Sequence, residues 1–247
     1  MGDWFQDVPE LIKQVEKLYS LPTVKPGVSD KLSLTKKKIY DGREWEPCRT
    51  LIDRNFDAEL TRIGLFYIPR TFQPGPCFVF PLVDAVGFPV RARVRPIEGS
   101  ELFGQGKYID LGDKTQFVGP PWIGNDGETL RKIMETRSVI LVEGGFDLLA
   151  CRLLAPDLPM LSPLTAGLGK KHVLYLRILG VRNVYLLFDN DKKGTETMDQ
   201  IQHFSKEFDI VQQLLLVGTS DPSAALKTTK SARLLQKVLY RNFSEDV

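Results

Sequence analysis

Short apolar segments alternate with amphipathic ones throughout the C-terminal half of the chain, and this alternation limits the fold to few possibilities. The apolar segments are 138–142, 159–164, 183–189 and 210–217. Helical spacing of apolar residues marks the segments between and after them, at 146–154, 170–180, 195–208 and 223–243. Strands that are buried between two layers of helices read as continuous apolar runs. The pattern therefore predicts βαβ units around a mainly parallel sheet, with helices on both faces.

The first half of the chain is organised differently. Residues 8–20 show helical spacing, and the next segment mixes proline, glycine and lysine without periodicity. A further helix is predicted from 48 to 68, and two strands within 77–99 are joined by a turn at Asp84 to Gly87. We therefore expect an N-terminal helix and extended arm (1–45), an α+β basic subdomain (46–135), an α/β domain (136–218) and a C-terminal helix (219–247).

The composition excludes several classes of protein. The 247 residues are 43% hydrophobic and 26% charged with a net charge of +2, which is typical of a globular protein. Three scattered cysteines and two histidines form neither a disulfide framework nor a zinc site of recognisable spacing, so no zinc is expected. The acidic N-terminus does not resemble a signal peptide, and no apolar run is long enough to span a membrane. We expect a cytoplasmic protein with no membrane partner.

Acidic residues follow three of the predicted strands. Glu143 and Asp189 end two of them, and Asp147, Asp191 and Asp221 lie on the segments that follow. The carboxyl ends of parallel strands meet at one edge of a sheet, where ligands gather, so we expect these side chains to cluster. Asp189 and Asp191 are like charges one residue apart, which disfavours ionisation unless a cation lies nearby. An all-oxygen cluster suits Mg²⁺ or Mn²⁺.

Other interpretations of these segments are available. The segment 189–191 is compatible with a solvated turn, and 143–145 with a tight turn. A calcium-binding loop beginning at Asp189 fails, because Gln200 stands where a bidentate glutamate is expected. A phosphatase of the haloacid dehalogenase type fails as well, because Lys193 occupies the position of its threonine. The sequence therefore favours a site for a hard cation, formed by the acidic residues at the ends of three strands.

Basic residues alternate in the second strand of the upstream hairpin. Arg91, Arg93 and Arg95 are spaced by two and so project from one face of a strand. A row of guanidinium groups suits phosphate binding, and the alternative is a solvated outer face of the hairpin. Lys192, beside the acidic pair, is a candidate for contacting a triphosphate. Trp122 is a candidate for base stacking, although core packing explains it better.

Two segments together resemble the TOPRIM domain shared by primases, topoisomerases and some nucleases. They are LVEGGFDLLA, which begins at residue 141, and YLLFDNDKKG, which begins at residue 185. Within that superfamily the chain is most similar to bacterial and phage DnaG-type primases, whose pattern is Glu-Gly-x-x-Asp, Asp-x-Asp-x-x-Gly and an Asp-Pro loop. The matching residues are Glu143, Gly144, Asp147, Asp189, Asp191, Gly194, Asp221 and Pro222.

The resemblance extends upstream and covers about 45 to 225. It includes LTRIGLFYIP at 60–69, the hairpin, and a Lys-Tyr segment formed here by Lys107 and Tyr108. The resemblance implies a TOPRIM domain, Rossmann-like with a mainly parallel sheet and helices on both faces, after a smaller α+β basic subdomain. It also implies a DNA-directed RNA polymerase of the primase type, in a bacterial or phage-infected cell.

The resemblance assigns roles to the candidate residues. Glu143, Asp189 and Asp191 would be catalytic, and together with Asp147 and Asp221 they would hold Mg²⁺ or Mn²⁺. The implied template is single-stranded DNA, the implied substrates are ribonucleoside triphosphates, and a replicative helicase is an implied partner. The residues that would bind nucleotide or template are Arg91, Arg93, Arg95, Lys107, Tyr108 and Lys192.

The sequence departs from this family in two respects. Such primases usually begin with a zinc-binding module, for which the chain has no ligand set, and Ser223 stands where a second acid often follows the Asp-Pro pair. These departures leave two alternatives open. One is a metal-dependent TOPRIM nuclease, and the other is a non-catalytic nucleic-acid-binding replication subunit.

Overall fold

A computed structural model of the chain describes residues 59, 62, 63, 65–68, 76–84, 89–111, 120–163, 168–188, 205–216 and 218–244. Three predicted features lie wholly or mostly outside these residues. They are the N-terminal helix and arm, the hairpin turn after Asp84, and the helix predicted from 195 to 208.

An antiparallel sheet forms from the upstream half of the described chain. Its strands run in the order β1 (Phe66–Ile68), β2 (Cys77–Val83), β3 (Pro89–Pro96) and β4 (Ile109–Leu111). The hairpin predicted within 77–99 is thus confirmed as β2 and β3, with Val79 opposite Val94.

One upstream helix ends earlier than predicted. The backbone is helical at Glu59, Arg62 and Ile63, but 66–68, expected at the end of this helix, is strand β1. The sequence FYI contains two aromatic residues and a β-branched one, which favour strands. Pairing with β2 then satisfies the backbone of this short segment.

The downstream half forms a parallel sheet with helices packed on it, as predicted. Its strands lie in the order β6, β5, β7 and β8, and all pairings are parallel. The strands are β5 (Ser138–Val142), β6 (Met160–Leu161), β7 (Asn183–Leu187) and β8 (Ile210–Gln213). The helices are α1 (Gly127–Thr136), α2 (Gly145–Leu154), α3 (Lys170–Ile178), α4 (Pro222–Ala225) and α5 (Thr229–Ser244).

Alternate residues of the central strands face two apolar layers. Ile140 and Tyr185 belong to a core that includes side chains of α2 and α5. Val139 and Val184 belong to a second core that includes side chains of α1 and α3. The continuous apolar runs of the sequence therefore arise because both faces of the sheet are covered. No helix of the described residues is both long and apolar enough to cross a membrane.

Two predicted boundaries are wrong. β8 ends at Gln213 rather than near Val217, because Gln213 pairs with Leu186 next to the last residue of β7. The tail contains two helices instead of one, since α4 ends at Ala225 and α5 begins at Thr229.

The two sheets share a core. Val83 of β2 forms a backbone bridge with Trp122, whose side chain is completely buried, so the core interpretation of this tryptophan is confirmed. The rings of Phe78 and Phe80 both pack edge-on against Phe146 of α2, with centroids 5.3 and 4.9 Å away. The antiparallel sheet is thereby attached to the first turn of α2.

Candidate active site

Glu143 and Gly144 connect β5 to α2, and Gly145 is the first residue of α2. At each of the two glycine positions a larger side chain would meet a neighbouring group. A β-carbon on Gly144 would lie 2.7 Å from Oδ2 of Asp147, and one on Gly145 would lie 2.6 Å from the ring of Phe80. Both distances are shorter than an ordinary van der Waals contact. Gly144 therefore leaves room for the Asp147 carboxylate, and Gly145 lets α2 approach the antiparallel sheet.

Ser223 joins two of the predicted acidic residues. Its backbone N–H donates to Oδ1 of Asp147 over 3.0 Å, and its hydroxyl donates to Oδ1 of Asp221 over 2.8 Å. Asp221 is also the N-cap of α4, because it accepts from the backbone N–H of Ala224 at 2.6 Å. The hydroxyl of Ser220 donates to the other carboxylate oxygen of Asp221, Oδ2, over 2.8 Å. The residue that departs from the family pattern thus holds both carboxylates in place.

The electrostatics of the two carboxyl groups differ. The pKa of Asp147 is raised to about 6, chiefly by burial and also by the charges of Asp221 and Glu143, while the hydrogen bonds from Ser223 oppose this rise. Burial alone would raise the pKa of Asp221 too, but hydrogen bonds from Ala224 and the neighbouring serines outweigh it and hold that pKa below its usual value. Asp147 is therefore the carboxyl group whose ionisation a nearby cation would favour most.

Three of the five predicted acidic residues lie at this edge of the sheet, which we call the acidic edge (Glu143, Asp147 and Asp221). β5 and β7 end in register, with Val142 opposite Leu187, so the segments that follow them start at the same edge. Asp189, Asp191 and Lys192 are outside the described residues, and their place in the cluster stays a prediction. Within the part of the chain that the structure describes, no group of three His, Cys, Asp or Glu side chains could hold a metal ion.

The predicted row of arginines on β3 shares one face, but it is not open to solvent. Arg93 forms a bidentate ion pair with Asp110 of β4, with N–O distances of 2.6 and 2.8 Å. Arg91 is only 8% exposed, and its Nη1 lies 3.9 Å from the same carboxylate. The register explains this pairing, because Arg93 and Asp110 are direct partners across the strands. Sequence reasoning did not predict the part that Asp110 plays.

Arg95, at the end of this row, lies beside the acidic edge. Its guanidinium carbon is 5.2 Å from the ring centroid of Tyr108 and 5.7 Å from that of Phe146, and its Nη1 donates to the Tyr108 hydroxyl at 3.0 Å. Phe146 directly precedes Asp147. Lys107, which is exposed, has its ammonium 5.9 Å from the Tyr108 ring. The structure therefore groups three of the predicted basic and aromatic residues around Tyr108, which lies close enough to Asp147 for the two to interact electrostatically.

A buried ionic network behind α2 was not predicted. Arg152, which is 1% exposed, donates to Asp126 at 2.8 Å and to the backbone oxygens of Gly124 and Met160 at 2.6 and 2.9 Å. Its Nη1 also lies 3.8 Å from Glu59. The sequence signal was an arginine inside the apolar helix FDLLACRLL, where a charge must be paired. This network fixes the helix that begins at the acidic edge.

No protein-family model matches the chain. The chain is 28% identical over 194 residues to the DNA primase of Borreliella burgdorferi, and this match covers 76% of the chain and 36% of the relative. The chain thus spans about a third of the length of that curated relative.

Solved structures match over almost the whole chain. The crystal structure of the Aquifex aeolicus primase, with zinc-binding and RNA polymerase domains, has a TM-score of 0.63 at 18% identity and covers 100% of this chain and 71% of that one. A DnaG primase catalytic domain bound to single-stranded DNA has a TM-score of 0.59 at 14% identity, with 99% and 84% covered. The fold is therefore the TOPRIM-containing fold of primase cores. By this fold the chain resembles the catalytic cores of DnaG-type primases, and its sequence is similar to that of a DNA primase.

Proposed function

We propose that this chain synthesises short RNA primers on single-stranded DNA, as a nucleotidyltransferase of the primase type. The observation that carries the proposal is the juxtaposition of the acidic edge with Arg95, Lys107 and Tyr108. Carboxylates that favour a cation and basic groups that favour phosphate lie side by side, which is the arrangement that phosphoryl transfer requires.

The donor chemistry of the acidic edge, with Asp189 and Asp191 added to it, suits a hard divalent cation. All donors of the acidic edge are carboxylate oxygens, which suit Mg²⁺ or Mn²⁺. A cation there would reverse the effect of burial and of like charges on Asp147. We propose that Glu143, Asp189 and Asp191 are the main ligands and that Asp147 and Asp221 support them. The bound ion would neutralise charge on the phosphoryl group and favour ionisation of the attacking hydroxyl.

The basic residues of the upstream sheet have two proposed roles. Arg95 and Lys107, held by the Tyr108 ring, would bind phosphates of the incoming nucleotide or of the template. Arg91 and Arg93 would orient this face through Asp110, and Lys192 would contact a triphosphate. We likewise propose the subdomain boundaries given above.

The proposed partners follow from the chemistry and from the relatives. The DnaG domain noted above is bound to single-stranded DNA, which supports such a template for this chain. Ribonucleoside triphosphates are the proposed substrates. A replicative helicase is a proposed partner, since primers are needed where a duplex has been opened.

A primer-synthesis assay tests the proposal. Wild type and Asp189→Ala are incubated with single-stranded DNA, labelled ribonucleotides and either Mg²⁺ or Mn²⁺. We expect short oligoribonucleotides from wild type and a loss of at least about a hundredfold in the variant. Glu135→Gln is a matched control, because this exposed carboxylate on α1 is paired with Arg131 and is remote from the sheet edge where the strands end.

The alternatives give different results in the same assay. Cutting of the DNA that requires the metal and Asp189 would identify a TOPRIM nuclease instead. Binding of single-stranded DNA without synthesis or cutting would identify a non-catalytic replication subunit. Either result would overturn the primase proposal.

A further inference from the structure

The C-terminal helix α5 has two opposite faces of different character. Its apolar face packs into the core through Ala232, Leu235, Leu239 and Phe243, which follow each other at intervals of three or four residues. Its exposed face carries a second row at the same spacing, which we call the basic stripe (Lys230, Arg233, Lys237 and Arg241). Residues three or four apart lie on one side of a helix, so four positive charges line up over about 16 Å.

The basic stripe differs from an ordinary solvated helix face. On α1, Arg131 lies between Glu128 and Glu135, with N–O distances of 2.7 and 2.6 Å, so charges of both signs neutralise each other. The sequence from Lys227 to Ser244 contains no aspartate or glutamate. No ion pair joins Lys230, Arg233 or Lys237 to a carboxylate in the described part of the chain. Lys230, Arg233 and Lys237 therefore form a local positive field that attracts polyanions, although the net charge of the chain is only +2.

The basic stripe starts beside the acidic edge. α5 follows α4, whose N-cap is Asp221, and the turn between them contains the exposed Lys227. Further along, Gln236 donates to the backbone oxygen of Leu154 at the end of α2. The stripe thus runs from the acidic edge along the outside of the molecule.

We propose that the basic stripe binds the phosphate backbone of nucleic acid that extends beyond the acidic edge. The partner is identified by charge, length and position. Successive phosphates of a nucleic-acid strand repeat a negative charge every few ångströms, which matches a row of lysine and arginine side chains on one helix face. The proposal rests on the nucleic-acid function proposed above. It adds a second contact surface that contains none of the residues already assigned to the site.

The test replaces the three stripe residues Lys230, Arg233 and Lys237 by glutamine together. The matched control, Arg177→Gln with Arg182→Gln and Lys206→Gln, removes the same charge from exposed positions on and near α3, which packs on the other face of the parallel sheet. Fluorescence anisotropy measures the binding of labelled oligonucleotides, single-stranded in one arm and duplex in the other, at several salt concentrations. Thermal unfolding checks that both variants fold.

We expect the stripe variant to bind at least about tenfold more weakly at low salt in one or both arms. Its slope of log affinity against log salt should fall by about 2 to 3, because three phosphate contacts are lost. The arm that weakens identifies template or duplex as the ligand. Unchanged affinity and slope in both arms, or an equal loss in the control, would overturn the proposal.

The two proposals fail separately. If wild type makes no primers but the stripe variant still loses binding, the catalytic proposal fails and the stripe proposal stands. If wild type makes primers and the stripe variant binds like wild type, only the stripe proposal fails.

Discussion

The molecule contains two clusters of charged side chains that are organised in opposite ways. Around Arg152, a buried cation is surrounded by Asp126, Glu59 and backbone oxygens, so charges of opposite sign meet inside the protein. At the acidic edge, Asp147 and Asp221 have the same sign and are held by hydrogen-bond donors. In the first cluster charges of opposite sign are paired, whereas the second has negative charge that a bound cation would balance. This difference separates a structural network from a candidate site.

The pKa values of the acids reflect this difference. Burial alone would raise the pKa of Asp126, but Arg152 and Arg62 outweigh it and keep that pKa below its usual value. Burial raises the pKa of Asp147, and its neighbours Asp221 and Glu143 act in the same direction. The network therefore stabilises the charge of Asp126, whereas burial and like charges at the acidic edge disfavour the charge of Asp147.

The largest expected effect is on the network. Arg152→Met should lower the free energy of unfolding by about 3–5 kcal/mol, because it takes the buried cation away from Asp126 and two backbone oxygens and leaves only Arg62 to pair with the carboxylates. Urea unfolding followed by circular dichroism measures the change. Arg131→Gln is the control, since its pairs on α1 are exposed to solvent and should contribute little to stability. An equal effect of the two variants would contradict a structural role for the network.

A buried base without a charged partner sharpens the comparison. His172 packs edge-on against Trp122, its Nδ1 accepts from the N–H of Gly169 at 3.1 Å, and burial lowers its pKa to about 4. The folded protein thus keeps this group neutral while the unfolded chain protonates it near pH 6.5. Stability from this group is complete above pH 6.5 and is lost as the pH falls towards 4. Between pH 7 and 5 the loss should be about 2 kcal/mol.

The matched variant for this prediction is His172→Gln. Glutamine at the third position of a helix can still accept from the N-cap N–H, but it does not titrate. The free energy of unfolding should therefore fall less between pH 7 and 5 in the variant than in wild type. The same pH dependence in both proteins would show that His172 is not the group responsible.

Removal of a charge from the acidic edge should stabilise the folded protein, whereas removal of the Arg152 charge from the network should destabilise it. Asp147→Asn keeps an oxygen for the N–H of Ser223 and removes a charge that lies near Asp221 and Glu143. In EDTA we expect this variant to be more stable than wild type by about 1–2 kcal/mol, because like charges at close range are unfavourable. Urea unfolding measures the difference.

Addition of Mg²⁺ should reverse this order. A cation that binds the folded protein stabilises it by mass action, and wild type offers one more negative ligand than the variant. The control is Asp157→Asn. This variant removes a surface carboxylate that accepts a hydrogen bond from the hydroxyl of Tyr240. An Asp147→Asn variant less stable than wild type in EDTA would remove the distinction between the two clusters.

The sequence predicted the parts of this molecule that depend on local pattern. Continuous apolar runs predicted the parallel sheet, and strand ends placed Glu143 and Asp147 at one edge. Partners distant in the chain were not predictable, because Asp110 meets Arg93 only through strand register and Arg152 meets Asp126 only through helix packing. The helix expected through 66–68 is a strand for the same reason, since pairing with β2 decides its structure.

The smallest expected effect tests how the acidic edge is held. Ser223→Ala removes the hydroxyl that donates to Asp221 but keeps the backbone N–H that donates to Asp147. Asp221 retains its bonds from Ala224 and Ser220, so the free energy of unfolding should fall by only about 1 kcal/mol. Ser220→Ala, which removes an exposed hydroxyl bond to the same carboxylate, should cost less. If Ser220→Ala costs as much as Ser223→Ala, then position 223 has no special part in holding Asp221. If Ser223→Ala costs more, donors rather than a cation hold these like charges together in the free protein, and a metal would then enter a site that is already formed.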